Sequence, residues 1–440
     1  MATGPLMYYR VGIARELTRL FSSPNIDSMY EGLAISGHIA AYHKAIVTEF
    51  LSMNSKPYFI DPYTYAFQFA NRFMRLPSED ETPNGEDPGV RQSIAKLAEC
   101  YGKPLSVCVS ERRQILLTDF GKIGFWDESV IREFVVNVIK FQKSYASYQQ
   151  ASLDDLLQWA EISATQRKGN PPAYILPPYF LCDGFDDWYD LSLKMAKIAT
   201  EVETSRPVFP VIALEESVIM NEDGRRRIVK DYRGFKGCFL WVNGLNESEK
   251  GTNVLTAYGH LVKSLVAAGL RVFSLYGGMF SAYMSKVGMA GFVSGVCYND
   301  YKVAQARSGG GKIRYYSAEL SAKLSIPEAQ TFYTEYPRRI CNCQYCRNVR
   351  GMKGKFGTKQ FARSFFLLLM KADDGPDLIV RGHFILKRSQ EMAYVAESSV
   401  ETIINDCNTI VQKYAKAADI GHLSNWATAL RELTNKANSK

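Results

Sequence analysis

Between residues 170 and 300 short apolar runs alternate with segments of helical spacing. AYILPPYFLC precedes WYDLSLKMAKIATEV, and RPVFPVIALEE follows. CFLWVNGL precedes VLTAYGHLVKSLVAAG, RVFSLYGG precedes MFSAYMSKVG, and GFVSGVCYND closes the series. Unbroken apolar runs of this length suit strands buried on both faces. Strand-then-helix repeats predict a parallel α/β sheet. These five runs, with one or two more around residues 35–70 and 105–125, bring the count near eight. The pattern predicts a (β/α)8 barrel, with an open doubly wound sheet as the alternative.

The first 55 residues read differently. IARELTRLF and GHIAAYHKAIVTEFLSM place apolar residues at three- and four-residue spacing, which predicts an N-terminal helical extension over 1–55. The barrel is expected over 56–330, with insertions that include the acidic, Pro- and Gly-rich loop SEDETPNGEDPG. A C-terminal module ending in helices is expected over 331–440. No GxGxxG opens a helix and no GxxxxGK[ST] occurs, which removes the main support for a nucleotide cofactor.

Composition adds a core and an expected compartment. Of 440 residues 46% are hydrophobic and 22% charged, the balance of a globular chain. The greasiest stretch, FARSFFLLLMK, is half the ~20 residues a bilayer span needs. MATGPLMYYRVGIAREL lacks the regions of a signal peptide, so no membrane association and a cytoplasmic location are expected. Six scattered cysteines (100, 108, 182, 238, 297, 407) read as free thiols in a reducing compartment.

The other three cysteines change the picture. Cys341, Cys343 and Cys346 fall within CNCQYC, close enough in a turn to converge on one metal. Thiolates and imidazole suit tetrahedral zinc, and His383, 37 residues after Cys346 and expected just before an amphipathic helix, supplies the fourth ligand. A Cys3His set leaves no position for water, so the expected Zn2+ is structural. From Arg338 to Lys371 the chain carries nine Lys or Arg and no Asp or Glu around this cluster. Such a run points to an anionic partner, a nucleic-acid backbone, with Arg347, Arg350, Lys353, Lys355, Lys359 and Arg363 as the contacts.

CxCxxC followed at a distance by a helix-opening His, after the last strand of a barrel, resembles the zinc site of the tRNA-guanine transglycosylase superfamily. The flank GGGKIRYYSAELSAKLSIPEAQTFYTEYPRRICNC is similar to that family's hairpin between last strand and zinc site. The resemblance implies a (β/α)8 barrel that exchanges guanine for a 7-deazapurine in tRNA or, in relatives, DNA. It also implies a second copy or a partner protein, since the eukaryotic enzyme pairs two subunits. Residue by residue, YFIDPYTYAFQF resembles the family's strand-end Asp turn, which implies an acid–base role for Asp61 with Gln68 nearby. VNGLNESE looks like the base-binding turn and implies Asn243, Gly244, Leu245 and Glu247 as substrate contacts. LCDGFDD offers Asp183 as a base reader. The family's last-strand nucleophile has no counterpart in GFVSGV; Asp300, four residues on, is the nearest carboxylate.

Three functions follow as expectations. The first is a transglycosylase-like enzyme using Asp61 and Asp300. The second is a catalytically inactive relative that binds nucleic acid or a partner subunit. The third is N-glycosidic hydrolysis through Asp61, Glu215 and Asp300. The observation that bears most on the choice among them is whether Asp61, Asp300 and Gly244 converge on a single pocket.

Overall fold

A computed structural model describes residues 4–74, 89–122, 125–146, 169–305, 314–347, 349, 352–371 and 375–435. It is an α/β fold around a seven-stranded parallel sheet. The strands are β1 (Leu6–Val11), β2 (Gly32–Ser36), β3 (Tyr58–Asp61), β4 (Val211–Leu214), β5 (Gly237–Val242), β6 (Arg271–Ser274) and β7 (Gly291–Gly295). Their order is β3-β2-β1-β7-β6-β5-β4, every neighbouring pair parallel. The acidic loop expected over 78–89 lies outside the described residues except for its last position.

The sheet is curled. Phe59 of β3 and Phe239 of β5 have four strands between them in it, yet their ring centroids are 4.6 Å apart. Tyr8 of β1 touches Phe59 at 5.4 Å and Phe273 of β6 at 6.2 Å. These rings fill the concave side, and burying each one removes a large apolar surface from water. The extended segment 173–182 bridges the two edges. Ala173 N donates to Tyr58 O beside β3, and Cys182 N donates to Ala213 O on β4. Seven strands and this irregular segment form the curl; an eighth regular strand is not present among the described residues.

The reading of residues 1–55 as a helical extension is corrected. LMYYRV and GLAIS form β1 and β2, in the middle of the sheet, with β1 paired to both β2 and β7. Each run is short, apolar and buried, and periodicity alone does not separate a buried strand from a buried helical turn. The helical part of the expectation lies at Ala14–Glu16 with Leu17–Phe21, at Gly37–Tyr42 and at Lys44–Met53.

After β7 the chain forms an antiparallel hairpin, β8 (Arg314–Ser317) and β9 (Ala322–Ser325), then the helix Ile326–Glu335 and the cysteine cluster. Helices Lys359–Lys371 and Gly375–Glu397 follow. The last helix, Gly421–Thr434, returns to the sheet domain and packs on helix Thr252–Ala267. Gly259 permits that approach, since a Cβ there would lie 2.2 Å from Leu433. The C-terminal residues are thus divided between the cysteine module and the wall of the sheet domain. Among the described residues no helix is long and apolar enough to cross a membrane.

Candidate metal centre and strand-end site

Cys341, Cys343, Cys346 and His383 come together as the sequence predicts: their ligand atoms all lie within 4.8 Å of one another. His383 Nδ1 is 3.5 Å from Cys343 Sγ and 3.4 Å from Cys346 Sγ. Metal–donor bonds of about 2.3 Å to sulfur and about 2.0 Å to nitrogen place tetrahedral S and N about 3.5 Å apart, so the donors fit zinc. His383 Nε2 is 2.8 Å from the Tyr316 carbonyl, an orienting bond that turns Nδ1 toward the sulfurs. Tyr315 stacks on the imidazole at 4.7 Å and 11°.

His383 does not open a helix; it lies inside Gly375–Glu397. The RG pair before it reads as a helix boundary, but Gly382 is inside for a packing reason. A Cβ there would come within 2.4 Å of the Tyr345 ring. The same helix carries Arg381 to a buried ion pair with Glu16, and Arg388 to the neighbourhood of Asp300.

Of the basic run, Arg347, Lys353, Lys355, Lys359 and Arg363 are exposed, and Arg350 lies outside the described residues. Arg347 is folded onto Asn342 at 2.7 Å. Lys353, Lys355, Lys359 and Arg363 make no ion pair among the described residues, and Phe356 stands exposed between them in sequence.

At the C-terminal ends of the strands, Asp61 closes β3 and is 4% exposed. Its Oδ1 accepts from Tyr179 Oη at 2.8 Å and Tyr63 N at 3.0 Å, and Oδ2 from Tyr276 Oη at 3.4 Å. Burial raises its pKa, opposed by those bonds and by the charges of Lys302 and Arg10. Tyr63 adopts a left-handed backbone at φ 60° to turn its N–H back onto the carboxylate. Tyr65 is fully buried beside Tyr179.

Gln68 is not available to read a base: its Nε2 donates to Leu181 O and its Oε1 accepts from Leu181 N. Both ends of the amide pin the segment 173–182. Asp183 is exposed just beyond that segment. Asn243 is also engaged, donating to Glu215 at 2.6 Å and accepting from Ala304 N at 2.8 Å. Gly244, at φ 66°, donates its N–H to Lys302 O at 2.9 Å, and Leu245 is buried. The turn therefore grips the chain rather than standing open.

What it grips is a strap, residues 299–305, laid across the strand ends. Asn299 O accepts from Arg10, Lys302 O from Trp241 Nε1, Val303 O and Ala304 O from Arg72, and Gln305 O from Asn71. Side chains hold five of its seven carbonyls, which makes it a fixed roof.

Asp300 belongs to another place. Its Oδ1 accepts from Lys323 Nζ at 2.7 Å and Ser294 Oγ at 2.8 Å, and Arg388 lies 3.7 Å from Oδ2. With Glu247 it lines a cavity of about 250 Å³ between strand ends, hairpin and last helix. A Cβ at Gly278 would lie 2.9 Å from Glu247 and 3.1 Å from Asp300, so the two carboxylates face each other there. Glu247 is buried and raised in pKa by that burial, while its oxygens cap Phe280 N and Ser281 N. Arg388 Nε and His422 Nε2 reach the same cavity without a partner. Asp61 and Gly244 do not line it. The expected meeting of Asp61, Asp300 and Gly244 is not seen in this cavity, and the two carboxylates have different partners: Tyr179, Tyr63 and Tyr276 for Asp61, Lys323 and Ser294 for Asp300. Lys302, Tyr179, Tyr276, Lys323 and Arg388 were invisible as site residues because their partners are distant in sequence.

No protein-family model and no curated protein matches the chain.

Proposed function

We propose that this protein binds nucleic acid and acts on one of its bases on the plan of the tRNA-guanine transglycosylases. In this reading the curled sheet is a (β/α)8 barrel in which segment 173–182 stands in for a fourth strand. Zinc is held by Cys341, Cys343, Cys346 and His383. There it supplies no open coordination position and fixes the hairpin module against the sheet domain. Lys353, Lys355, Lys359 and Arg363 then face the phosphate backbone, with Phe356 as a stacking surface.

One observation carries the reading. A closed Cys3His cluster follows the last strand and a hairpin, in the same chain as a buried carboxylate at the C-terminal end of a parallel strand. Barrel enzymes work at that end of the sheet. Asp61, its pKa raised by burial, is suited to protonate a departing purine. The family resemblance adds a partner protein or second copy, and a guanine or 7-deazapurine as the exchanged base.

A second reading is favoured by the strap and by Asp300. A carboxylate held by Lys323 and Ser294, outside the Asp61 site, is poorly placed as a shared nucleophile, as in a relative that binds without catalysis. The deciding experiment is incorporation of labelled guanine or 7-deazapurine into tRNA and duplex DNA, with wild type and Asp61→Asn. Incorporation lost in the variant supports the enzyme. Tight binding with no incorporation by wild type supports the binding protein.

A further inference from the structure

The strand-end site contains a buried acid, and another carboxylate at these strand ends, Glu215, is engaged by Asn243 at 2.6 Å; the strap supplies a different group. Lys302 sits at the middle of the strap, its carbonyl fixed by Trp241 and Gly244. Its ammonium lies 5.5 Å from the Tyr63 ring centroid, over the residue that turns back onto Asp61. Among the described residues it makes no ion pair and no hydrogen bond, although Asp61 is a neighbour. The nearby charges are mixed: Arg72 and Arg10 repel the cation, while Asp61 and Tyr63 attract it.

A rigid backbone has thus delivered an amine without a salt-bridge partner to the mouth of the sheet, beside cations and a buried acid. Placing an unpaired cation there costs free energy, and a surface position would avoid the cost. Amines in such surroundings are the ones that attack carbon, because removal from water and neighbouring cations favour the free base. Burial lowers the Lys302 pKa first, and Arg72 and Arg10 lower it further.

We propose that Lys302 is the nucleophile of this site, attacking C1′ of a nucleotide in the place the family gives to a carboxylate. The inference rests on the base-modifying reading above. The Nζ lone pair forms the N–C1′ bond as the C1′–base bond breaks. The base leaves with its electron pair and takes the proton held by Asp61. The proton released from Nζ returns to Asp61 and passes to O4′ as the C1′–O4′ bond opens, leaving an imine. The same steps in reverse, with a second base, complete an exchange. Water in place of that base releases the sugar. Tyr179 and Tyr276 keep Asp61 oriented throughout.

Two measurements on the full chain test it. In the first, limiting formaldehyde with cyanoborohydride at pH 7 is followed by peptide mapping. Each unit of pKa depression gives about tenfold more free amine, so Lys302 should be methylated well ahead of exposed Lys353 and Lys355. Labelling of Lys302 no faster than theirs overturns the proposal. In the second, a duplex DNA with one abasic site is incubated with protein and cyanoborohydride. The C1′ aldehyde and Nζ form an imine with loss of water, and hydride fixes it.

The expected adduct maps to Lys302 and falls at least tenfold in Lys302→Arg, with Lys96→Arg as the remote control. An adduct mapped elsewhere, or undiminished in Lys302→Arg, overturns the proposal. If Lys302→Arg fails to fold, the mapped wild-type adduct decides. Base exchange by Lys302→Arg at the wild-type rate overturns the inference and leaves the transglycosylase reading standing. A Lys302 adduct on abasic DNA without base exchange supports the amine and removes the exchange reading.

Discussion

The Cys3His cluster and the strand-end site differ in how they are built. Three of the four metal ligands lie within six residues, and the fourth arrives on one helix whose imidazole is oriented by one carbonyl. The strand-end site draws Asp61 from β3, Tyr179 from the bridging segment, Tyr276 from beyond β6 and Lys302 from the strap. A local site announces itself in a motif; a distributed one does not. Helix Gly375–Glu397 ties the cluster to the sheet domain, sending His383 to the cysteines and Arg388 to the cavity of Asp300. Disturbance of the metal centre should therefore reach the sheet domain.

The largest effect is expected from breaking the local site. Cys346→Ser should lose the metal by elemental analysis. Because binding and local folding are coupled, it should also lower unfolding free energy by more than ~5 kcal/mol, a large part of the ~10–16 kcal/mol that structural zinc contributes to folding. A protein with full metal content and unchanged urea midpoint would remove the metal centre from the comparison.

Next is the joint between the regions. Arg388 is 2% exposed and reaches Glu391 at 3.3 Å and the Tyr316 ring at 4.5 Å. Arg388→Met leaves Glu391 buried without its cation and should cost about 3–5 kcal/mol in urea unfolding. If metal affinity falls in the same variant, the helix transmits between the regions; unchanged affinity means they are independent.

The exposed face should behave as neither site does. Replacing Lys353, Lys355 and Arg363 with Ala should leave folding unchanged. It should reduce the slope of log K against log salt for duplex DNA or tRNA by about one to three units. An unaltered slope would mean a solvated face.

The smallest effect concerns Asp61. Its folded pKa lies above the unfolded value of about 3.9, so the native state holds a proton that the unfolded state gives up. Stability from this group is fully present below about pH 3.9 and is lost as pH rises through the folded pKa. Asp61→Asn cannot ionise, so its stability relative to wild type should rise between pH 4 and 7 in a series of urea titrations. A difference that stays flat with pH would show that Asp61 titrates normally.

The alternation of apolar runs and helical segments after residue 170 was enough to read parallel α/β, because each parallel crossover needs a helix between two buried strands. CNCQYC was enough to read a metal cluster, because thiol spacing is a local property. The membership of β1 and β2 was not legible, since a five- or six-residue apolar run fits a buried strand or a helical turn equally well. Nor was the occupation of Gln68 and Asn243, whose hydrogen bonds run to residues 113 and 61 positions away.

By itself the sequence determined the donors, the charge of the run around them and the strand-forming stretches, all properties of neighbouring residues. Tertiary structure alone decided that Asp61 and Asp300 take different hydrogen-bond partners and that a lysine stands over the ring of Tyr63. Those outcomes depend on which chain segment crosses the curled sheet, and packing between distant residues, not spacing along the chain, selects that segment.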